Sequence, residues 1–386
     1  MKTQIVIAGG GYAGLFAAAR LRKYSGMNVV LIDAHDHFVQ RVRLHEYLAG
    51  GSMPKLAYRE LLASHGLDFI QGRIQSIQPD QQTLILEGAE GARIVRYDWL
   101  LYGLGSRTKR WDHIPGLNEW AQTLDAGPQL DRTRQRLQEL PEGESVVIMG
   151  AGLTGLEAAT EIKEAHPRLA VTLVNAGRAF PGYAPGAEQE IRNVLRRLDI
   201  RLMEGRQVTR VEAARIHCDD GSSMPCAVAI HCMGLEVSSL ARDAGIRTAA
   251  NGQIQVDPYL RSLSHPNILA VGDAAELDAA SCPAPRMSCA AACPMGTYAA
   301  DTLHRLQSGQ KLLPFRFGFT GRCVSLGRRA AVVQLVNALD QPRRWFFRGR
   351  LAVWIKEMIC RGTVQVPQWE LRWGLALNRW YQPKDI

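Results

Sequence analysis

With 386 residues, 46% apolar and 22% charged, the chain can bury two or three cores and is too ordinary in composition for a disordered or fibrous protein. It has no low-complexity segment, no short repeat and no apolar run near the ~18 residues of a membrane span. The net charge of +9 is concentrated: from Phe319 onward 12 Lys/Arg face 4 Asp/Glu, and these 68 residues hold five of the eight tryptophans.

In chain order, Gln4 to Ala8 predicts a short buried strand rather than the apolar core of a secretory signal, because glycines follow at once and no small-residue cleavage site does. Cytoplasmic residence is the expectation. Gly9-Gly10-Gly11-Tyr12-Ala13-Gly14 then leads into the helix-prone Leu15 to Arg22. In a strand–turn–helix setting, GxGxxG binds a dinucleotide: Gly9 permits the turn, Gly11 admits a pyrophosphate, and Gly14 lets the helix pack on the strand. The free N–H groups of the helix start meet the phosphates. A second strand, Val29 to Ile32, ends at Asp33, placed for ribose hydroxyls. Gly9, Gly11, Tyr12, Ala13, Gly14 and Asp33 are the candidates here.

Arg41, Arg43 and His45 alternate in the following loop. They suit an anionic substrate or cofactor phosphates, or else salt bridges within the loop.

The pattern returns at Ser145 to Met149, Gly150-Ala151-Gly152-Leu153-Thr154-Gly155 and a helix through Ile162. Here the next strand, Val171 to Val174, ends at Asn175, not an acid. Without that carboxylate a 2′-phosphate is better tolerated, and Arg178 is near enough to pair with it, which tilts the site toward NADPH over NADH. The other readings are a solvated Arg178 and a weakened or vestigial site. Gly150, Gly152, Gly155, Asn175 and Arg178 are the second set of candidates.

The eight cysteines (Cys218, Cys226, Cys232, Cys282, Cys289, Cys293, Cys323 and Cys360) form no CxxC and no Cys/His zinc spacing, so reduced thiols and no metal are expected. Cys289 and Cys293 stand one helical turn apart, unlike a CxxC redox pair.

Pro266 to Ala274 reads as an apolar strand ending in Gly272-Asp273. With the two glycine motifs and Tyr102-Gly103-Leu104-Gly105-Ser106, this segment makes the chain resemble the two-dinucleotide-binding-domain flavoproteins, in the type II NADH dehydrogenase-like branch with relatives of the apoptosis-inducing factor. The resemblance covers about residues 3–310. It implies FAD at the first motif and NAD(P)H at the second, with hydride passing from nicotinamide to flavin and on to a small-molecule acceptor. It further implies that Gly105, Gly272 and Asp273 hold FAD, that a helix beginning near Met295-Gly296 aims its N-terminus at the flavin, and that Glu157 assists electron or proton transfer. A raised pKa would suit a relay at Glu157; plain complementation of the helix dipole is the other reading. Quinone-using members carry an AQxAxQ-like segment where this chain has Cys289 to Gly296, with Ala290 and Pro294 in place of the glutamines. That departure leaves three expectations: a quinone acceptor, a specialised small metabolite, or a flavin-based redox sensor.

The expected architecture is α/β: an FAD-binding domain split over 1–110 and 246–318, an NAD(P)-binding domain at 111–245, and a basic aromatic C-terminal module at 319–386. Tryptophan and arginine along that module fit a peripheral membrane contact on the inner face, a homodimer interface, or packing onto the flavin domain. No nucleic-acid signature accompanies the charge, so no nucleic-acid partner is expected.

Overall fold

The computed structural model describes residues 2–88, 91–277 and 285–383. Cys282 lies outside them, and the other seven cysteines are free.

Apolar runs without alternation make strands buried on both faces, which is the habit of parallel sheets. Ile5 to Ala8 and Val29 to Ile32 are all buried. Their strands, Thr3–Ala8 and Met27–Asp33, run side by side and parallel. The first sheet has the order Ile268–Ala270, Trp99–Tyr102, Thr3–Ala8, Met27–Asp33, Asp68–Gln71, with every pairing parallel. A second sheet repeats the plan as Ala121–Gln122, Val228–His231, Ser145–Met149, Ala170–Asn175, Ile200–Glu204. The fold is therefore α/β with two Rossmann-like units. The chain passes between them twice, and the two passages, Ser106–Thr108 and Leu235–Val237, pair antiparallel.

Helix Tyr12–Leu21 is buried along its length and crosses helix Cys289–Gln307 closely. A Cβ on Gly296 would stand 2.0 Å from the Ala13 carbonyl oxygen, so only glycine fits the crossing. This second helix begins at Cys289, earlier than the expected start near Met295, and carries Pro294 inside it. The proline leaves the Ala290 carbonyl without its helical N–H, yet the helix continues because its burial against Tyr12–Leu21 outweighs one lost bond. Met295 consequently points into the core at 0% exposure. It offers no surface to a cofactor, which corrects its place among the candidates.

The C-terminal module is an antiparallel sheet, Gly321–Ser325, Ala331–Val336 and Pro342–Arg348, followed by one long helix, Gly349–Trp373. Its buried stripe is Ala352, Lys356, Cys360, Pro367 and Leu371, at helical spacing. The opposite face exposes Leu351, Trp354, Met358, Trp369 and Trp373. Buried Arg20 ties the helix end to the first unit: it meets Asp301 at 2.9 Å, Glu370 at 3.2 Å and the Asn378 carbonyl at 3.1 Å. Trp380 donates its indole N–H to the Arg316 carbonyl at 2.8 Å and packs near Phe315. Packing onto the first unit thus accounts for Trp380 and not for Trp345, Trp354, Trp369 or Trp373. Among the described residues no helix is long and apolar enough to cross a membrane.

Candidate active site

Both glycine loops have the same local geometry. Gly9 and Gly150 sit at φ +98° and +101°, a region that penalises any side chain. Added Cβ atoms on Gly14 and Gly155 would each lie 1.9 Å from a carbonyl oxygen, of Gly9 and Gly150 respectively. On Gly11 and Gly152 they would meet nothing within 4 Å. The first and last glycines are thus required by the protein itself, whereas the middle ones border open space. Helices Tyr12–Leu21 and Leu153–Ala165 start at those middle glycines with no side-chain cap and no acid in the first turn, leaving their positive ends for an anion. The pyrophosphate of a dinucleotide fits both cradles.

Asp33 and Asn175 do one job in common. The Asp33 carboxylate accepts the Gly10 N–H at 2.7 Å, and the Asn175 side-chain oxygen accepts the Ala151 N–H at 2.9 Å. The amide therefore keeps the loop-pinning role of the acid without its negative charge. Arg178 pairs with Glu188 at 2.5 Å, yet its side chain is mostly exposed, so it can reach a phosphate only by sharing that carboxylate.

At the carboxyl edge of the first sheet, Asp273 accepts the Ser106 hydroxyl at 2.6 Å, beside Gly105 and Gly272, which both have positive φ. Tyr12 and Ala13 are buried in the first helix turn. Of the loop cations, Arg41 donates to the Ser106 carbonyl and lies 3.6 Å from Asp125, and Arg43 bridges Glu46 and Glu357 at 2.9 and 2.8 Å. Both are held by protein partners; Arg41 clamps the passage between the units.

His45, on helix Leu44–Leu48, goes elsewhere. It is buried, and its Nδ1 is 3.6 Å from a Glu157 oxygen. Glu157 also accepts the Ser325 N–H at 3.0 Å and the Lys356 ammonium. Three parts of the chain converge here: the loop of the first unit, the helix of the second and the C-terminal module. Burial alone would raise the Glu157 carboxyl, but Lys356, His45 and the hydrogen bonds hold it below its usual range. Burial likewise opposes the charge on Lys356, and Glu157 overrides it. Burial pushes His45 down to about 4, leaving it neutral. The raised pKa that would suit a relay at Glu157 is thus not found: the shift is downward, and it is a carboxylate paired with an ammonium. Nor does it serve its own helix dipole, since its oxygens point to other elements.

Lys356 was missed as a site residue. Its signal was a lysine set four residues from Ala352 and Cys360 on an apolar helical stripe. One turn beyond Glu157, Glu161 is raised by burial to about 7, against the pull of Arg328. Its folded pKa lies above the unfolded value, so stability present below about 4.5 is lost as pH climbs to about 7. Glu161→Gln should therefore raise stability at pH 8 by roughly 2 kcal/mol and change it little at pH 4.5, read by denaturant melts at both pH values.

Residues 3–296 match the family described as pyridine nucleotide-disulphide oxidoreductase. Among relatives, Ferroptosis suppressor protein 1 of Xenopus laevis is 26% identical, over 86% of this chain and 88% of that protein. The Arabidopsis thaliana protein named alternative NAD(P)H-ubiquinone oxidoreductase C1, chloroplastic/mitochondrial, is 26% identical over 86% of this chain and 73% of its own length. Among solved structures, NDH2 from Plasmodium falciparum in complex with NADH superposes with a TM-score of 0.81 at 15% identity, covering 97% of this chain and 99% of that one. With the match running through both dinucleotide units and into the helix that covers the first, this chain belongs to the pyridine nucleotide-disulphide oxidoreductase family.

Proposed function

We propose that the protein is an FAD-dependent oxidoreductase that takes hydride from NAD(P)H and passes the electrons to a quinone at a membrane surface. The observation that carries this reading is the contact of His45 with Glu157. The loop after the first dinucleotide strand pair lies directly on the helix that starts at the second glycine loop, which supports a reading in which two bound cofactors meet at one seam. FAD belongs to the first unit, taken as 1–110 with 246–318, and NAD(P)H to the inserted unit at 111–245. Gly9, Gly11 and Gly14 with Asp33 and Asp273 hold the flavin dinucleotide. Gly150, Gly152 and Gly155 with Asn175 and Arg178 hold the nicotinamide dinucleotide. The isoalloxazine supplies the hydride chemistry, and the protein supplies alignment and charge. At the seam the buried Glu157–Lys356 pair keeps an ammonium within reach of developing negative charge, while neutral His45 offers a ring nitrogen, Nε2, without a hydrogen-bond partner among the described residues.

The quinone is supported by the Arabidopsis relative's name and by the face of the C-terminal module. Trp345 is 71% exposed and Trp354 58%, with Arg343, Arg344 and Arg350 exposed around them. Aromatic side chains interleaved with arginine suit the headgroup layer of an anionic bilayer. Steady-state oxidation of NAD(P)H by the FAD-loaded protein under anaerobic conditions should require a short-chain quinone. It should rise when a long-chain quinone is supplied in anionic liposomes to which the protein floats. Nucleotide oxidation indifferent to quinone would assign another acceptor, and a concentration-dependent dimer that ignores liposomes would assign the aromatic face to self-association.

Asn175 gives a second expectation. Asn175→Asp restores the carboxylate opposite a 2′-phosphate, so kcat/KM for NADPH should fall roughly 10- to 100-fold relative to NADH, on the order of 1–3 kcal/mol. The ratio measured with both nucleotides checks it.

A further inference from the structure

Beyond the Glu157 seam, a second polar nest is built from the same three parts of the chain. Tyr183 comes from the loop after strand Ala170–Asn175, Arg286 from the segment just before helix Cys289–Gln307, and Arg322 and Asp340 from the C-terminal sheet and its turn. Arg322 donates to the Pro181 carbonyl at 3.0 Å and to Asp340 at 2.8 Å. Arg286 also pairs with Asp340 and lies 4.2 Å over the Phe319 ring. The Arg322 guanidinium stands 5.7 Å over the Tyr183 ring. Two guanidinium charges thus share one carboxylate. Tyr183 Oη, the Nε atoms of Arg286 and Arg322, and Asp340 Oδ1 are all buried with no hydrogen-bond partner among the described residues. A buried polar group left unpaired carries its full desolvation cost. Three of these, the phenol and the two Nε–H groups, are donors, and with an excess positive charge in the nest they describe a receptor for an electronegative oxygen rather than a structural knot.

The nest adjoins the redox seam. Burial raises the Tyr183 phenol well above its usual range, with Arg322 opposing and Glu157 and Cys323 adding to the rise. Strand Gly321–Ser325 links the two: its Arg322 enters the nest, and its Ser325 N–H donates to Glu157 at 3.0 Å.

We propose that Tyr183 Oη, backed by Arg286 and Arg322, receives a carbonyl oxygen of the quinone acceptor, in the role left empty by the absent glutamines at Ala290 and Pro294. This inference rests on the quinone-reductase reading above. A quinone carbonyl only accepts hydrogen bonds, and a phenol O–H and guanidinium N–H groups only need to donate. Reduction to the hydroquinone takes two electrons and two protons: NAD(P)H and one proton from solvent supply them, leaving NAD(P)+. Donors aimed at that oxygen gain strength as it becomes negative, and Asp340 Oδ1 is an acceptor for the O–H of the product.

The test uses the FAD-loaded full chain and Tyr183→Phe. Titrating a short-chain ubiquinone into the oxidised protein, followed by flavin fluorescence, reads binding without turnover. The variant should bind about tenfold more weakly, since one hydrogen bond is worth about 1.4 kcal/mol. Its reoxidation by the same quinone should slow at least as much, while its bleaching by NAD(P)H and its melting temperature stay at or above wild type. Arg286→Lys, which keeps the charge but loses Nε, should show the same split. Wild-type binding and reoxidation in both variants would overturn the proposal, as would a wild-type protein that is bleached by NAD(P)H yet binds no quinone. Failure of NAD(P)H to bleach the wild-type flavin would instead strike the function above; the oxidised-state titration would still decide whether Tyr183 receives the quinone.

Discussion

Lys356→Met should destabilise the protein by about 3–5 kcal/mol, because it leaves the Glu157 carboxylate buried without its counter-charge. The pair is nearly enclosed, with side chains 9% and 12% exposed, so water cannot replace the ammonium. Glu157→Gln should cost a similar amount by stranding Lys356. The double variant Glu157→Gln/Lys356→Met removes both charges and should recover most of the loss, since a neutral pair of similar volume does not need the desolvation that an ion pair does. Activity should separate from stability. The double variant should remain slow, by 100-fold or more, in passing electrons to a quinone, because the ammonium at the seam is gone. Denaturant unfolding of the four proteins, followed by single-turnover reoxidation, measures both quantities. Equal losses of stability and no recovery in the double variant would show that packing, not charge pairing, holds the module in place.

Gly14→Ala and Gly155→Ala should each abolish one cofactor step. Each new methyl would stand 1.9 Å from a backbone carbonyl oxygen, and neither strand nor helix can yield without moving the loop that cradles a pyrophosphate. Gly14→Ala should give a colourless protein that cannot be reconstituted with FAD. Gly155→Ala should stay yellow yet lose reduction by NAD(P)H by at least 100-fold. Gly11→Ala and Gly152→Ala meet no protein atom, so they should fold normally and weaken cofactor binding alone. Thermal melts of the apo chains distinguish the two kinds of glycine: the outer pair lowers stability without any ligand, and the inner pair does not. Flavin retention in Gly14→Ala would contradict the assignment of FAD to the first unit.

The parts legible in the sequence were those whose physics is local. Gly9-to-Gly14 and Gly150-to-Gly155 could be read because a turn, an open approach and a helix start packed on its own loop fall within six residues, the first and last of them closed to a side chain by the protein itself. Asp33 and Asn175 were legible as strand ends, though their shared duty toward the Gly10 and Ala151 N–H groups was not. The start of helix Cys289–Gln307 was misplaced because Pro294 locally argues for a boundary, whereas packing against Tyr12–Leu21 decides the matter. The sign of the Glu157 shift was unreadable for a stronger reason. Its partner Lys356 is 199 residues away, and only the folded chain places them together. Arg41 and Arg43 suited an anion or salt bridges within the loop; Glu46, three residues from Arg43, is such a loop partner, whereas Asp125 and Glu357 are partners that a sequence window does not contain. The module's tryptophans looked alike in sequence; the structure packs Trp380, partly buried, against the core and leaves the other four on the outside.

The most direct measurement is anaerobic stopped-flow mixing of the yellow protein with NADH and NADPH, then with a short-chain quinone. The flavin should bleach within the turnover time with at least one nucleotide, and the quinone should restore its colour as fast. A flavin that stays oxidised under excess of both nucleotides would contradict the proposed function, because the second glycine loop would then hold no hydride donor.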